Sequence, residues 1–397
     1  MGQDFTKHLE KRLRAISERG QFRRIQVHRH LVDGCVEIEG KNYLNLAGND
    51  YLGLATNREL HKKFFAGLSS VTMLDSYGMG STASRLMTGS TEPYARLEKK
   101  LCHLYAKEAA LVFNSGYHLN IGILPALTEK NDLILADKLC HASMIDGMRL
   151  SRCRKIRYPH LDYDAIERIL EKERDDYNQV YLCTESIFSM DGDEADLKKL
   201  VTIKNKWNAV LYVDDAHGVA IRGKTGCGLA EEYGVIDEVE LLTGTFGKAF
   251  GAQGAFVVCT RQLADYLTNT ARSQIFSTGM PPVVVHWINF VLDRIPSMTQ
   301  EREKAAFLAQ RLREELKQNG LSTCGSSNIV PVMIGDAARA VHVAREVCKH
   351  GFWVKAVRPP TVPQGSSRLR LSLNSAMNWQ QLKPLAKVIA DAVTDLG

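Results

Sequence analysis

The sequence lacks the long apolar segment that a membrane-spanning helix requires. No apolar run approaches the ~20 residues needed to cross a bilayer. The stretch from Met1 to Arg24 is charged and helix-like, without the apolar core of a signal peptide. Its arginines are typical of an organelle transit peptide, but Asp4, Glu10 and Glu18 argue against that interpretation. We therefore expect a surface helix of the mature protein, and no membrane partner.

Cysteine is present but lacks the patterns that give it a structural role. The nine cysteines include no C-x-x-C pair and no His/Cys group with zinc-finger spacing. In a chain of 397 residues this pattern indicates free thiols in a reducing compartment. We expect a cytoplasmic protein without a bound metal.

Long runs of basic residues are also missing. The net charge is +6, and the basic residues occur as pairs such as Lys198-Lys199 and Arg23-Arg24. This mild, dispersed charge fits anionic small molecules better than nucleic acid, which is not an expected partner.

Apolar, strand-like runs alternate with helical patterns between Lys99 and Cys259. The runs are Ala110–Phe113, Leu133–Ala136, Val180–Thr184, Val210–Val213, Glu240–Thr243 and Ala255–Cys259. Apolar strands separated by helices are typical of an α/β fold with a mostly parallel central sheet covered on both faces.

The pattern changes after Pro281-Pro282. A helical stretch, Val283–Ile295, and a long charged amphipathic helix, Gln300–Asn319, come next. Short strands and helices follow: Ile329–Ile334, Ala337–Lys349, Trp353–Ala356, Leu369–Leu373 and Trp379–Ala392. The sequence thus predicts an N-terminal arm over residues 1–45, a large domain over 46–285 and a small α+β domain over 286–397.

Three familiar motifs fail on closer inspection. Residues 78–83 match G-x-G-x-x-A, but no convincing strand precedes them, so a glycine-rich turn is preferred. Gly247-Lys248 lacks the flanking residues of a P-loop. Ser189, Asp214 and His217 suggest a hydrolase triad, but the sequence contains no G-x-S-x-G elbow.

A strand ending in two acids and a histidine is the first candidate site. Asp214 and Asp215 directly follow the run Val210–Val213, and His217 comes three residues after Asp214. One such acid could merely cap a helix. Because a carboxylate here could hold a pyridine nitrogen protonated, and an imidazole could reach a ring hydroxyl, the cluster also suits a pyridoxal-phosphate (PLP) ring.

Lys248 is the second candidate. Most lysines are solvated surface charges, but this one lies among apolar and glycine residues in the loop from Thr245 to Gly251. Burial there would lower the pKa of the amine and favour imine formation.

Two further segments follow strands. Residues 113–120 run from a strand through Asn, Ser and Gly into a helix, and the N–H groups at a helix start bind anions such as phosphate. An ordinary helix cap explains the same residues. His141 could stack on a ring or be a structural histidine.

Together these residues resemble the α-oxoamine synthases, a family of fold-type I PLP enzymes. The resemblance runs nearly end to end. It rests on Gly48–Leu54, Asn114–Tyr117, His141–Ser143, Ser186–Asp193, Asp214–Gly218, Thr245–Lys248, Ser277–Pro282 and Arg358–Pro363. The last stretch is most similar to members that act in biotin synthesis.

The resemblance implies roles around the cofactor ring. Lys248 would carry PLP covalently and act as the proton-transfer base. Asp214 would pair with the pyridinium nitrogen, and His141 would stack on the ring. His217 and Ser189 would hydrogen-bond the ring oxygen.

The resemblance also implies the phosphate site. Gly116, Tyr117 and Thr245 would hold the phosphate, with Ser277 or Thr278 contributing from a partner subunit of a homodimer. Relatives often have Phe where this chain has Tyr117.

Substrate contacts follow in the same way. Arg370 would bind the amino-acid carboxylate, and Asn49 would contact the substrate. Arg23 or Arg24 would meet the distal carboxylate of the acyl chain, with Thr361 of the Arg358–Pro363 stretch also at the substrate.

The reaction implied is the condensation of L-alanine with pimeloyl-CoA or a pimeloyl carrier protein, giving 8-amino-7-oxononanoate, CO2 and free thiol. The alternatives are sister reactions, in which glycine meets an acetyl or succinyl thioester or serine meets a fatty acyl thioester. A non-catalytic subunit with this fold would be expected to have lost Lys248, which is present.

Overall fold

The structure is a computed structural model that describes residues 2–395. Contacts group the chain into two compact units. The large unit comprises residues 49–189 and 193–304, and the small unit comprises residues 2–48, 190–192 and 305–395. The predicted division at residues 45 and 285 remains a proposal.

Residues 2–395 contain fourteen strands. They are β1 (Arg29–His30), β2 (Cys35–Ile38), β3 (Lys41–Asn45), β4 (Ala109–Phe113), β5 (Leu133–Asp137), β6 (Arg154–Tyr158), β7 (Val180–Glu185), β8 (Val210–Asp214), β9 (Leu241–Thr245), β10 (Ala255–Cys259), β11 (Ile329–Gly335), β12 (Phe352–Trp353), β13 (Ala356–Val357) and β14 (Ser367–Ser372).

Fifteen α-helices accompany them over the same residues. They are α1 (Gly2–Glu18), α2 (Arg58–Phe65), α3 (Glu92–Tyr105), α4 (Gly116–Leu127), α5 (Ala142–Leu150), α6 (Tyr163–Glu173), α7 (Leu197–Trp207), α8 (Leu229–Glu232), α9 (Arg261–Thr270), α10 (Arg272–Ile275), α11 (Pro282–Leu292), α12 (Thr299–Gln318), α13 (Ala337–Lys349), α14 (Trp379–Leu382) and α15 (Leu385–Thr394). Among the described residues, none of these helices is both long and apolar enough to cross a membrane.

The large unit is built on a seven-stranded sheet in the order β4-β10-β9-β8-β7-β5-β6. Strand β10 runs antiparallel to both of its neighbours, and the other pairs are parallel. Six strands therefore point the same way, which confirms the predicted α/β fold with a mostly parallel sheet. The inner strands are buried along their whole length, as expected for a sheet with helices on both faces.

Helices α4, α5 and α9 contribute to the core of the large unit. Ile123, Met144 and Leu267 belong to one buried cluster with Ile134 and Val257 of the sheet. Each such side chain stabilises the fold by about 1.5–3 kcal/mol when fully buried. This packing fixes the strand ends from which polar side chains project.

The small unit has two smaller sheets, β1-β2-β3-β12 and β11-β14-β13. The predicted strand Trp353–Ala356 was wrong as a single element, since β12 pairs with β3 and β13 pairs with β14. The predicted helix Trp379–Ala392 is two helices, because Pro384 lacks the N–H that a continuous helix would need.

Candidate active site

Polar side chains gather at the carboxyl edge of the large sheet. Strands β7, β8 and β9 lie side by side and parallel, and they end in Glu185, Asp214 and Thr245. Strand β4 points the same way and leads into Ser115, the N-cap of α4. In sheets of this kind ligands bind in the crevice outside these strand ends.

Lys248 lies in the loop that joins the antiparallel strands β9 and β10. Thr245 pairs with Ala255 at the base of the loop, and the Phe246 amide donates to the Gly254 carbonyl at 2.9 Å. The loop is thus closed by backbone hydrogen bonds, and it presents a half-buried lysine beside the strand ends.

A hydrogen-bonded chain begins at the Lys248 amine. Lys248 Nζ lies 2.7 Å from His217 Nε2, and His217 Nδ1 lies 2.6 Å from the Tyr51 hydroxyl. Tyr51 in turn donates to Asn49 Oδ1 at 3.1 Å. Because the Tyr51 hydroxyl gives its hydrogen to Asn49, it accepts from His217 Nδ1–H, and Nε2 of the neutral ring accepts from the Lys248 amine. The predicted residues Asn49, His217 and Lys248 are therefore brought together, and Tyr51 links them.

Asp214 is held by donors on both oxygens. The Asn120 amide donates to Oδ2 at 2.9 Å, and the Ala216 backbone amide donates to Oδ1 at 3.1 Å. Asn120 also donates to Ser143 Oγ at 2.8 Å and accepts from the Tyr212 hydroxyl. Because these donors satisfy the buried carboxyl group, its orientation is fixed before any ligand arrives.

The neighbouring acid, Asp215, has a structural role. It is fully buried, accepts from the Ser186 hydroxyl and accepts from the Leu229 backbone amide at 3.0 Å. Burial raises the pKa of Asp215 to about 7. Gly228 and Gly218 allow this carboxyl group to pack directly against the backbone. Asp215 therefore anchors the segment after β8.

His141 caps helix α5 at the same edge. Its Nδ1 accepts from the Ser143 backbone amide at 3.2 Å and lies 2.7 Å from Ser143 Oγ. Burial lowers the pKa of His141, with Asp214 opposing that effect and Lys248 adding to it. The ring is therefore a neutral imidazole with its hydrogen on Nε2, and Asn120 and Ser143 connect it to Asp214.

The start of helix α4 offers an anion site. Ser115 accepts from the His118 amide at 3.2 Å, and a Cβ added at Gly116 would meet open space. The first amides of a helix have no partner within the helix. Tyr117 is largely exposed, and its hydroxyl donates to Asp146 at 2.5 Å.

The other predicted phosphate ligands are placed as follows. Thr245 donates its hydroxyl to the Gly254 carbonyl at 2.9 Å and accepts from the Gly247 amide at 3.1 Å. Thr278 is exposed, and its carbonyl accepts from the Asn114 side chain at 2.7 Å. A phosphate contact from the Thr245 hydroxyl would therefore replace an existing hydrogen bond.

Ser189 lies in a narrow loop that a charged histidine secures. The Phe188 amide donates to the Asp193 carbonyl at 3.0 Å, and His160 lies 2.8 Å from Asp193 and 2.9 Å from Asp137. Burial alone would lower the pKa of His160, but the hydrogen bonds to both acids outweigh it and raise the pKa to about 10. The imidazolium thus ties the loop to strand β5.

Two predicted substrate residues meet within the small unit. Arg23 Nη2 lies 3.4 Å from Thr361 Oγ1, while Arg24 lies over the Phe22 ring. Arg370, in β14, donates to Ser372 Oγ at 2.8 Å.

No role was predicted for Tyr51, Asn120 or Glu185. Tyr51 and Asn120 stand in motifs that were recognised, and both are almost fully buried. Their position inside those motifs was the available signal, and the structure adds that both are buried, where polar groups are usually hydrogen-bonded. Their partners are distant in sequence and could not be read from it.

Three comparisons place the chain among known proteins. A curated relative, 8-amino-7-oxononanoate synthase of Chlorobaculum parvum, is 44% identical over 354 residues, which are 89% of this chain and 90% of the relative. The 8-amino-7-oxononanoate synthase structure from Francisella tularensis is 27% identical, with a TM-score of 0.74 over 89% of this chain and 98% of its own.

A structure of SPT with a PLP internal aldimine is 25% identical, with a TM-score of 0.90, and covers 100% of this chain and 99% of its own. The family model for aminotransferase class I and II matches residues 41–389, most of the sequence. The chain belongs to the aminotransferase class I and II family.

Proposed function

We propose that this chain catalyses the PLP-dependent condensation of L-alanine with a pimeloyl thioester. The products are 8-amino-7-oxononanoate, CO2 and the free thiol. The observation that carries the proposal is the contact between the Lys248 amine and His217, beside the donor-held carboxyl group of Asp214. The similarity to relatives named for this product supports the choice of substrates.

The residues at the strand ends fit PLP. Lys248 supplies an amine for the aldehyde, Asp214 a carboxylate for the ring nitrogen, and the start of α4 a site for a phosphate dianion. His141 offers a neutral ring that can stack on a planar group. When bound, PLP supplies an electron sink that stabilises negative charge on the amino-acid Cα.

Each residue then has a defined task. Lys248 Nζ takes the proton from the Cα of alanine and returns one after decarboxylation, which requires an amine pKa near the working pH. His217 would hold the ring oxygen, and it is itself oriented by Tyr51. Asp214, held by its donors, would keep the ring nitrogen protonated.

The substrate contacts in the small unit are part of the proposal. Arg370 would bind the alanine carboxylate, for which a planar guanidinium is well suited. Arg23, beside Thr361, would meet the distal carboxylate of the pimeloyl chain.

The decisive experiment measures thiol release from pimeloyl-CoA by the PLP-loaded protein, with L-alanine, glycine or L-serine as separate co-substrates. We expect release that depends on L-alanine. Release with glycine or serine instead would assign a sister reaction. Failure with all three, in a protein that binds PLP, would be followed by a pimeloyl carrier protein and by acetyl, succinyl and palmitoyl thioesters.

Replacing the amine tests the mechanism directly. We expect Lys248→Ala to lower kcat by at least about a thousandfold, since it removes both the covalent handle and the proton carrier. Lys63→Ala, at an exposed lysine of α2, is the matched control and should keep full activity. A Lys248→Ala protein as active as this control would refute the mechanism.

We also propose a homodimer, in which the Ser277–Thr278 segment of one subunit contributes to the phosphate site of the other. Exposed apolar side chains cluster in one segment, namely Val71, Met73, Leu74, Met79, Leu86 and Met87. A cluster of this kind is typical of a surface that another chain covers. Sedimentation equilibrium should give twice the chain mass.

A cytoplasmic location, predicted from the cysteines, remains a proposal.

A further inference from the structure

The segment that follows strand β7 turns back on itself as a tight hairpin with Ser189 at its tip. The Phe188 amide donates to the Asp193 carbonyl at 3.0 Å, which closes the tip. At the base, the Ser186 amide donates to the Asp214 carbonyl at 3.0 Å, at the end of β8. The hairpin therefore rises from the sheet edge that carries the candidate site, and Ser189 directly follows its last paired residue.

The tip of the hairpin is tied to the sheet by His160. Its Nε2 lies 2.8 Å from Asp193 Oδ2, and its Nδ1 lies 2.9 Å from Asp137 Oδ1. Asp137 ends strand β5, is fully buried, and also accepts from the backbone amides of Leu139 and Leu161 at 2.8 and 2.9 Å. Because backbone donors fix this carboxyl group, it is a rigid anchor for the histidine.

The imidazole ring of His160 makes a second contact with the hairpin. The rings of His160 and Phe188 lie nearly perpendicular, with centroids 4.4 Å apart and an interplanar angle of 86°. Phe188 is 1% exposed and directly precedes Ser189. The histidine therefore holds both sides of the tip, Phe188 through its ring and Asp193 through a hydrogen bond.

The base of the hairpin is held by other residues. Arg222 donates to Glu194 at 2.7 Å and to Glu232 of helix α8 at 2.7 Å. Glu194 also pairs with Ile187 in an antiparallel bridge between the two arms. Because these contacts support the arms below the tip, the ties made by His160 are the ones that bear most directly on Ser189.

We propose that His160 is a positioning residue for Ser189. By bridging Asp137 and Asp193, it fixes the hairpin tip and thereby the hydroxyl that would meet the ring oxygen of PLP. This inference rests on the proposed function in taking Ser189 as a contact of that oxygen. It goes further because it assigns the geometry of the contact to a residue that acts only through the hairpin.

The first measurement compares Ser189→Ala with His160→Leu, which removes both ring nitrogens and keeps an apolar side chain beside Phe188. A hydrogen bond to the ring oxygen affects PLP affinity and the pH at which the PLP–Lys248 chromophore titrates. In each variant we expect PLP binding at least about threefold weaker and a titration midpoint displaced by about half a pH unit, in the same direction. An affinity and a midpoint equal to those of the original protein, in either variant, would overturn the proposal.

The double variant separates positioning from a merely structural role. If His160 acts through Ser189, the double variant should show the titration midpoint of Ser189→Ala alone. A displacement equal to the sum of the two single displacements would show that His160 acts by another route, and would overturn the proposal. The free energy of unfolding should instead fall further in the double variant than in Ser189→Ala, because the lost hydrogen bonds cost stability with or without the serine hydroxyl.

Asp193→Ala repeats the test if His160→Leu does not fold. It removes the carboxyl group that joins His160 to the hairpin, and it leaves the backbone carbonyl of residue 193 and the contact between His160 and Asp137. We expect the chromophore midpoint to move as in Ser189→Ala, and an unchanged midpoint would overturn the proposal. The matched control is His103→Leu, at an exposed site on α3, which should equal the original protein. None of these measurements uses an acyl substrate, so failure of the condensation assay would not be mistaken for failure of this inference.

Discussion

Asn120 should be the most sensitive polar residue of the site outside the residues that touch the ligand. Its carboxamide donates to Asp214 and Ser143 and accepts from Tyr212, and all four side chains are buried. Asn120→Ala would remove three hydrogen bonds, at about 1–3 kcal/mol each. Asp214 and Ser143 would keep their contacts with the Ala216 amide and with His141, and the Tyr212 hydroxyl would lose its acceptor. Because water can enter the space and replace some contacts, we take the lower end, about 3 kcal/mol in total.

The assay is equilibrium urea unfolding of the PLP-free protein. Tyr212→Phe removes one hydroxyl and should cost about 1 kcal/mol, and Asn205→Ala, on the exposed face of α7, should lie within about 0.5 kcal/mol of the original. The expected order of stability is therefore Asn205→Ala, then Tyr212→Phe, then Asn120→Ala. An Asn120→Ala protein as stable as Asn205→Ala would refute the network.

Two further substitutions probe the segments around the site. The first is His160→Gln. Because the pKa of His160 is raised to about 10, the stability it adds is fully present below about pH 6.5 and is lost as the pH rises through about 10. The difference in unfolding free energy between the original protein and His160→Gln should therefore shrink over that interval, and a difference independent of pH would contradict a charged His160 between the two acids. The second is Gly228→Ala, whose new Cβ would lie 1.6 Å from Asp215 Oδ2 at a φ of +91°, so the free energy of unfolding should fall by about 3 kcal/mol. Its control is Gly234→Ala, at a φ of +68° with open space around it, which should lower the free energy of unfolding by about 1 kcal/mol. Equal losses in urea unfolding would show that backbone strain alone sets the cost at both positions.

The strands of the large sheet were predictable because they are buried on both faces. Continuous apolar runs give clear boundaries, and the predicted Ala255–Cys259 matches β10 fully. Strand β6 was missed, since it is a partly exposed edge strand whose sequence is rich in charge. The split of Trp353–Ala356 between two sheets was also beyond local pattern, because pairing partners are set by distant residues.

The residues of the site were predictable where they follow a strand. Asp214, His217 and Lys248 come after apolar runs, and parallel strands bring such positions to one edge. Their mutual contacts were not predictable, since His217 meets Tyr51 across 166 residues of chain. The roles assigned to Arg370, Arg23 and Thr361 came from resemblance alone and remain proposals.

The reversed direction of β10 has a consequence for how the lysine is encoded. A parallel neighbour would have required a long crossover, but an antiparallel one is joined by the nine residues 246–254. The backbone position of Lys248 is therefore determined mainly by one contiguous hairpin, residues 241–259. A change of sequence outside this stretch leaves the hairpin that carries the amine intact, as long as β8 remains to pair with β9.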